Sequence, residues 1–546
     1  MIDVDLYKAK KLYPFQEETV NTILNELSSN GKDFNLLYQL PTGGGKTVIF
    51  SEIGRKYIEQ WKKKVLILTH RIELSVQTSK QLSAIGVANK IINSEVKDLP
   101  DQDEYSCFIA MVETLHNRLT DDHDFIKNVG LVIVDEEHDH SYKQEDGVIY
   151  NARDMAVLRS SIEGIPVILA SATPSLESWV NAKNGKYNHV QIHERFGQAT
   201  LPSLSVVDLH TENLKSDEWI SDSLEKSITE CLKNEEQSLL FLNRRGYSPT
   251  TVCRACGNQI SCDECDARMV EHRFINRLMC HQCGHTKAMP DKCPSCGIKG
   301  KLAVVGPGVE RLAEEAQIKF PKAVISVLSS DLYGSAKSLK DEIQKISEGN
   351  TDIIIGTQLV AKGHNFPKLR LVGVIDIDIG LQGSDLRAAE RTYQLVRQVS
   401  GRAGRKDNKG RALIQTYQPE HPVVEAIIKG DDDEFWVSEA KQRELASMPP
   451  FGKLVGIIIS SSNFENAMFL ANQLKTSTQA LDIIGARVYG PAPAPIARIK
   501  RRHRIRFLVK SPRTPGLQDA IRKWVATGSL KGDLRLSIDI DPQSFY

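Results

Sequence analysis

Short, almost wholly apolar runs recur along this chain, separated by longer stretches in which apolar positions return every three or four residues. The first rhythm predicts strands buried on both faces, and the second predicts helices packed against them. In the first third, the strand-like runs fall at 35–40, 65–69, 107–111, 131–134 and 167–170. After a polar connection at 211–222 the rhythm restarts, with runs at 238–242, 323–328, 352–356, 371–375 and 412–416. This alternation predicts an α/β protein with two tandem parallel-sheet domains. A different pattern begins near residue 446. There Met448-Pro449-Pro450-Phe451 and Gly490-Pro491-Ala492-Pro493-Ala494-Pro495 mark a separate C-terminal domain.

Composition narrows the class. A chain of 546 residues is too long for one core. Hydrophobic residues at 41% and charged residues at 25% fit a folded globular protein and exclude a disordered or collagen-like one. Lys+Arg 70 against Asp+Glu 69 leaves a net charge of +1, so any polyanion must meet a local patch. No apolar run approaches the ~18 residues of a membrane span, and the charged start carries no signal-peptide segment. The expectation is a cytoplasmic protein with no membrane partner.

The stretch Pro41-Thr42-Gly43-Gly44-Gly45-Lys46-Thr47 follows a strand-like run and precedes a helical pattern, the context of a phosphate-binding loop. Glycines let the backbone curl so that its N–H groups and the helix N-terminus face phosphate. Lys46 is then expected on the β- and γ-phosphates of ATP, and the Thr47 hydroxyl on Mg²⁺. Leu40 stands where the strict pattern has its first glycine. The partner of such a loop is an acid at a strand's carboxyl end, and the run at 131–134 leads directly into Asp135-Glu136-Glu137-His138. Asp135 is expected to hold Mg²⁺, and Glu136 to orient or deprotonate the attacking water.

Together these motifs resemble a superfamily 2 helicase. Phe15-Gln16 resembles its adenine-reading glutamine, Leu68-Thr69-His70-Arg71 its motif Ia, and Ser171-Ala172-Thr173 its motif III. Gly356-Thr357-Gln358-Leu359-Val360-Ala361-Lys362-Gly363 resembles motif V, and Gln398-Val399-Ser400-Gly401-Arg402-Ala403-Gly404-Arg405 matches motif VI in full. Arg402 and Arg405 are expected to stabilise charge on the transferring phosphoryl when two lobes close on ATP. The resemblance further implies that His138, Ser171, Thr173 and Gln398 couple the ATP site to DNA.

Eight of the ten cysteines lie between Cys253 and Cys296, in four C-x-x-C pairs. Each pair is half of a tetrahedral Cys₄ zinc site, so four pairs predict two closed, structural Zn²⁺ sites in a reducing compartment. Spacing alone does not fix the pairing. The fourteen residues between Cys265 and Cys280 favour a nested arrangement. Cys262, Cys265, Cys280 and Cys283 would hold one ion, and Cys253, Cys256, Cys293 and Cys296 the other.

A narrower resemblance rests on Val134-Asp135-Glu136-Glu137-His138-Asp139-His140-Ser141-Tyr142-Lys143-Gln144, Tyr150-Asn151-Ala152-Arg153-Asp154 and Phe241-Leu242-Asn243-Arg244-Arg245-Gly246-Tyr247. The eight cysteines, Gly306-Pro307-Gly308-Val309-Glu310-Arg311, residues 490–498 and Asp539-Ile540-Asp541-Pro542-Gln543-Ser544-Phe545 extend it. From about residue 129 onward, some three quarters of the chain, the sequence is similar to the family of the replication-restart helicase PriA, or primosomal protein N′. Residues 1–119 resemble superfamily 2 motors more generally, and Val148 stands where the family tends to place an aromatic residue.

The resemblance implies two RecA-like lobes at 1–195 and 196–445, a zinc-binding insertion at 250–300 within the second, and a small α+β domain at 446–546 that binds DNA or partners. It implies ATP-dependent 3′→5′ unwinding at stalled or branched forks and primosome assembly in the bacterial cytoplasm, in association with the nucleoid. Its partners would be single-stranded and forked DNA, single-stranded DNA-binding protein, and the replicative helicase or its loader. About forty residues precede the phosphate loop, so the family's usual N-terminal DNA-binding and winged-helix domains are expected to be lacking.

Read from the residues alone, the candidate DNA patch is Arg498, Lys500, Arg502, Arg504 and Arg506, whose later half alternates basic and apolar side chains as a one-faced strand would. Two other readings stay open: a superfamily 2 repair helicase that loads nothing, and a zinc-ribbon DNA-binding scaffold on an inactive motor.

Overall fold

The computed structural model describes residues 12–30, 34–122, 124–144, 147–192, 202–212, 214–215, 218–243, 250–253, 256, 258–264, 269–272, 277–280, 283, 285–300, 302–305, 308–329, 333, 336–361, 366–381, 386–404 and 410–544. It divides into two compact units: residues 1–203 with 361–370 and 397–411, and residues 204–360 with 371–396 and 412–546.

The first unit is built on seven strands, β1 (Asn35–Gln39), β2 (Lys64–Thr69), β3 (Asn89–Ile92), β4 (Cys107–Met111), β5 (Val129–Asp135), β6 (Val167–Ser171) and β7 (Asn188–Gln191). Their order is β3-β4-β2-β5-β6-β1-β7, and every pairing is parallel. The sheet has a core on each face. Leu36, Tyr38, Val65, Ile67, Ile133 and Ile168 enter one, with Ile49 and Ile53 of the helix after the phosphate loop. Leu37, Leu68, Val132, Val134 and Leu169 enter the other. Successive side chains of a strand point to opposite faces, so a strand covered on both sides must be apolar at every position.

A second sheet, centred in the other unit, comprises β8 (Ser203–Asp208), β9 (Gln237–Phe241), β10 (Ile325–Leu328), β11 (Ile353–Gly356), β12 (Leu369–Val374) and β13 (Arg411–Thr416), in the order β8-β13-β12-β9-β11-β10. Three strands were not legible as apolar runs: β3, β7 and β8. Each is the edge of its sheet, and none is fully buried along its length. An edge strand has less to cover, and its polar residues keep it from pairing with other chains.

The cysteine-rich segment follows β9 and contains two small antiparallel sheets, 250–253 with 302–305, and 270–272 with 277–279 and 286–288. The C-terminal domain is an antiparallel sheet of β14 (Gly452–Ser461), β15 (Arg487–Ile499), β16 (Arg502–Pro512) and β17 (Arg535–Ile540), ordered β15-β16-β14-β17. It packs on its own core around Phe507 and Trp524. Two RecA-like parallel-sheet lobes, a cysteine-rich segment and a small C-terminal sheet domain thus answer to the expected architecture. The first unit runs to residue 203 and also takes in residues 361–370 and 397–411. Among the described residues no helix is long and apolar enough to cross a membrane.

Candidate functional site

The phosphate loop joins β1 to helix α2 (Lys46–Trp61), whose N-cap is Gly45 at φ 88°. Gly43 has φ 91°, and a side chain at either position would be held in the left-handed region. Leu40 is buried at 1% exposure, and a Cβ on Gly44 would meet its side chain at 2.7 Å. The leucine that replaces the first glycine of the strict pattern therefore fills the core beneath the loop and leaves room there only for glycine. Helix α1 (Pro14–Ser29) supplies the other wall. Gln16 Nε2 donates to the Gly44 carbonyl (3.0 Å) and Gln16 Oε1 accepts from the Tyr13 N–H (3.1 Å), so this buried amide braces the loop. Pro41, Thr42 and Thr47 are half-buried around it.

The acids stand at the carboxyl end of β5, where an open parallel sheet forms its ligand crevice. Lys46 Nζ lies 2.8 Å from Asp135 Oδ1 and 2.6 Å from Glu136 Oε1. Burial, with the neighbouring Glu136, pushes the Asp135 carboxyl above its ordinary value against the pull of the Lys46 ammonium. Against the cost of burial, the charge and hydrogen bond of Lys46 hold the Glu136 carboxyl down at about 2. Desolvation opposes the charge on Lys46, and Asp135 and Glu136 together raise its pKa above the ordinary lysine value. Glu136 itself has φ 53°, a left-handed conformation uncommon outside glycine and often found at functional sites. Glu137 has a different fate. Its side chain is buried and accepts from Ser175 N (2.7 Å), Ser178 Oγ (2.8 Å) and Arg153 Nη1 (3.1 Å), which ties the acid loop to the segment after β6.

His138 is placed within a chain of polar contacts. Its Nε2 is 2.8 Å from Gln398 Nε2, and its Nδ1 is 2.7 Å from Ser171 Oγ. Ser171 Oγ also accepts from the Thr173 N–H (3.1 Å), and Gln398 Nε2 reaches Thr173 Oγ1 (3.4 Å). With Gln398 donating, His138 accepts at Nε2 and donates from Nδ1. The four residues expected to couple ATP to DNA are thus brought together in the first unit. Arg402 is half-buried in the turn after helix α3 (Ala388–Ser400), its N–H bonded to the Val399 carbonyl (3.0 Å). Arg405, and Lys362 and Gly363 of the motif V stretch, lie outside the described residues.

In the cysteine-rich segment the sulfurs of Cys253, Cys256, Cys293 and Cys296 converge, and so do those of Cys262, Cys280 and Cys283. This is the nested grouping; Cys265 lies outside the described residues. The pairs Cys253–Cys296, Cys256–Cys293 and Cys262–Cys283 are each 3.7 Å apart at Sγ. That is far beyond a disulfide and close to the edge, about 3.8 Å, of a tetrahedron with Zn–S bonds of about 2.3 Å. Backbone N–H groups of Glu264 and Ser295 point at Cys262 and Cys293 Sγ (each 3.4 Å), as thiolate ligands require. The donor sets fit zinc, which when bound would supply cross-links for a segment with a small core.

The basic residues near 500 are only partly placed for a polyanion. Ile505, Phe507 and Val509 of β16 turn into the C-terminal core, which leaves Arg504 and Arg506 on the opposite face. Arg502 is committed to the Ser460 carbonyl (2.8 Å) and Asp533 (3.2 Å). Arg504 donates to the Ile496 carbonyl (3.1 Å), and desolvation lowers its pKa. Arg498 is half-buried at the end of β15, and Lys500 is exposed in the turn that follows.

Sequence reasoning gave no role to Gln16 as a brace, or to His70, Asp139, Tyr142 and Arg153 around the acid loop. Tyr142 Oη approaches the carbonyls of Asp135 (2.6 Å) and Leu68 (3.0 Å), and His70 Nε2 lies 3.2 Å from Asp139 Oδ2. Only the density of polar residues in 135–142 hinted at such a network.

Family models match residues 9–175 (Type III restriction enzyme, res subunit), 262–287 (PriA DNA helicase Cys-rich region domain), 292–407 (Helicase conserved C-terminal domain) and 444–543 (Primosomal protein N C-terminal domain). The replication restart protein PriA of Rickettsia felis is 36% identical over 540 residues, which covers 97% of this chain and 81% of that protein. The proteins of the same name from Haemophilus influenzae (33% identical, 92% and 69% covered) and Bacillus subtilis (32%, 98% and 68%) are also similar. The likeness therefore extends across the first lobe, ahead of residue 129, where the sequence motifs had pointed only to superfamily 2 motors in general.

Proposed function

The chain belongs to the family of the replication restart protein PriA, and on that footing we propose that it is the ATP-driven DNA helicase that reopens stalled or branched forks for replication, moving 3′→5′ on its strand. The observation that supports this reading best is the bridge from Lys46 to both Asp135 and Glu136. Arriving phosphates compete with the two carboxylates for Lys46. The exchange moves the ammonium toward the β- and γ-phosphates and releases Glu136 to orient and deprotonate water. Mg²⁺ held by Thr47 and Asp135 would neutralise charge on the phosphates. The loop N–H groups and the start of α2 bind the phosphates. Gln398, His138, Ser171 and Thr173 report the state of this site to bound DNA, and Arg402 and Arg405 complete it. Single-stranded DNA-binding protein and the replicative helicase with its loader are the partners this reading implies.

Steady-state ATP hydrolysis at low salt, with no DNA, single-stranded DNA or a forked duplex, tests the proposal. The expected result is stimulation by DNA, with a loss of about 10²-fold or more in Lys46→Ala, since the lysine serves the transition state. Equal hydrolysis by Lys46→Ala would overturn the assignment. Unwinding of duplexes with a 3′ or a 5′ single-stranded arm reads the polarity, and loading of a replicative helicase on a fork reads the restart role.

A further inference from the structure

We propose that His70, at the end of β2, is a positioning residue for ATP hydrolysis that holds the acid loop, through Asp139, in the conformation that presents Glu136. The inference rests on the helicase reading above and gives a role to His70, which the sequence marked only as part of the stretch resembling motif Ia.

His70 and Asp139 are each only 1% exposed at the side chain, and Nε2 and Oδ2 approach to 3.2 Å. The other oxygen of Asp139 is already committed: Oδ1 accepts from Ser141 N (2.9 Å) and Ser141 Oγ (2.7 Å). The backbone closes the same turn, with Asp139 N–H on the Glu136 carbonyl (2.8 Å) and Tyr142 N–H on the Asp139 carbonyl (3.2 Å). Asp139 is therefore the peg of the turn that begins at Glu136, and His70, the residue after β2, faces that peg at ion-pair distance. The Tyr142 ring lies edge-on to the His70 ring (5.8 Å between centroids, 62°), and its hydroxyl spans the Asp135 and Leu68 carbonyls. The end of β2 and the acid loop are thus pinned twice.

The pinning has a task. Glu136 adopts φ 53°, which costs energy and persists only where its surroundings enforce it. His138 holds the loop from the side of Ser171 and Gln398, and His70 holds it from the side of β2. Loss of either should let Glu136 drift from the nucleophilic water while Lys46 and the glycine loop still bind nucleotide.

The experiment uses the full chain and compares His70→Ala, His70→Gln, Asp139→Asn and Glu136→Gln, with Lys46→Ala as control. For His70→Ala, kcat should fall about 10- to 100-fold, as expected for misplacement of a catalytic group, while the KM for ATP stays within about 2-fold. His70→Gln, whose amide nitrogen reaches the Nε2 position, should recover part of the rate. In a Glu136→Gln background, His70→Ala should change nothing further, because its effect passes through Glu136. Unchanged kcat in His70→Ala would overturn the inference. So would a parallel loss of kcat, nucleotide binding and thermal stability that His70→Gln does not repair. If Lys46→Ala still hydrolyses ATP, the helicase reading itself fails; if Lys46→Ala is inactive and His70→Ala is not, only this inference does.

Discussion

Asp376, two residues beyond β12, shows how much a single buried carboxylate can decide. Burial first, and then the neighbouring Asp378, push it up to about 6. Its Oδ1 accepts the N–H groups of Asp378 (3.0 Å) and Ile379 (3.2 Å), a role an amide oxygen can fill equally well. The folded state binds this proton more tightly than the unfolded chain does, so stability falls as pH climbs from the ordinary value of 3.8 to about 6 and stays lost above that. Asp376→Asn should therefore raise the melting temperature at pH 7.5, with a gain of at most about 3 kcal/mol, and the gain should vanish near pH 4. A thermal-shift series against pH checks it, and an equal gain at both ends would rule out the charge as the cause. At this scale the sequence was legible where chemistry dictates residue type, as in Lys46, Asp135 and the cysteines. It was silent where a side chain's work depends on what lies opposite. Nothing in the sequence marks Gln16 as a brace for Gly44, or Arg502 as a partner of Asp533.

Among the elements, the hairpin of β15 and β16 reaches furthest beyond its own sheet. Its two-residue turn, Lys500 and Arg501, has φ 47° and 60°, the left-handed pair that suits the strand twist but is usually built from asparagine and glycine. The tip is held from outside. Arg501 N–H donates to the Glu264 carbonyl (2.8 Å), its guanidinium pairs with the Glu264 carboxylate through Nη2 (2.6 Å) and Nε, and Ile499 packs against the apolar residues around Cys262 and Cys280. Glu264 in turn donates its N–H to Cys262 Sγ. The C-terminal domain thereby steadies the inner cysteine site from its outer shell. Arg501→Ala should release one of two zinc ions to a colorimetric chelator about 10-fold faster, at the low end of such effects because the pair is solvent-exposed and screened. Adding Glu264→Gln should bring no further change. Identical release from the wild type and Arg501→Ala would show that the hairpin does not support the knuckle.

At the scale of the whole molecule, the two units divide the chemistry. Lys46, Asp135, Glu136, His138 and Gln398 belong to the first unit, and the eight paired cysteines belong to the second, each unit with its own core. Stripping zinc with a strong chelator should lower the melting transition of the second unit yet leave DNA-free ATP hydrolysis within about 2-fold, because the metal contributes folding energy only to the segment that binds it. Calorimetry alongside the ATPase assay checks this; a collapse of DNA-free hydrolysis would mean that the motor depends on the zinc segment. The sequence by itself determined the two α/β lobes, the phosphate loop with its acid partner, and the cysteine pairs. These rest on local rules: continuous apolarity for strands covered on both faces, glycine where backbone meets phosphate, cysteine spacing where two sulfurs share a metal. The edge strands, the grouping of 361–370 and 397–411 with the first unit, the hold of His70 on Asp139 and that of Arg501 on Glu264 were decided only by the tertiary structure. In the two side-chain contacts the partners lie 69 and 237 residues apart in the chain (139 less 70, and 501 less 264), and no local pattern encodes which distant side chains a sheet or a hairpin will bring within 3 Å or so of each other.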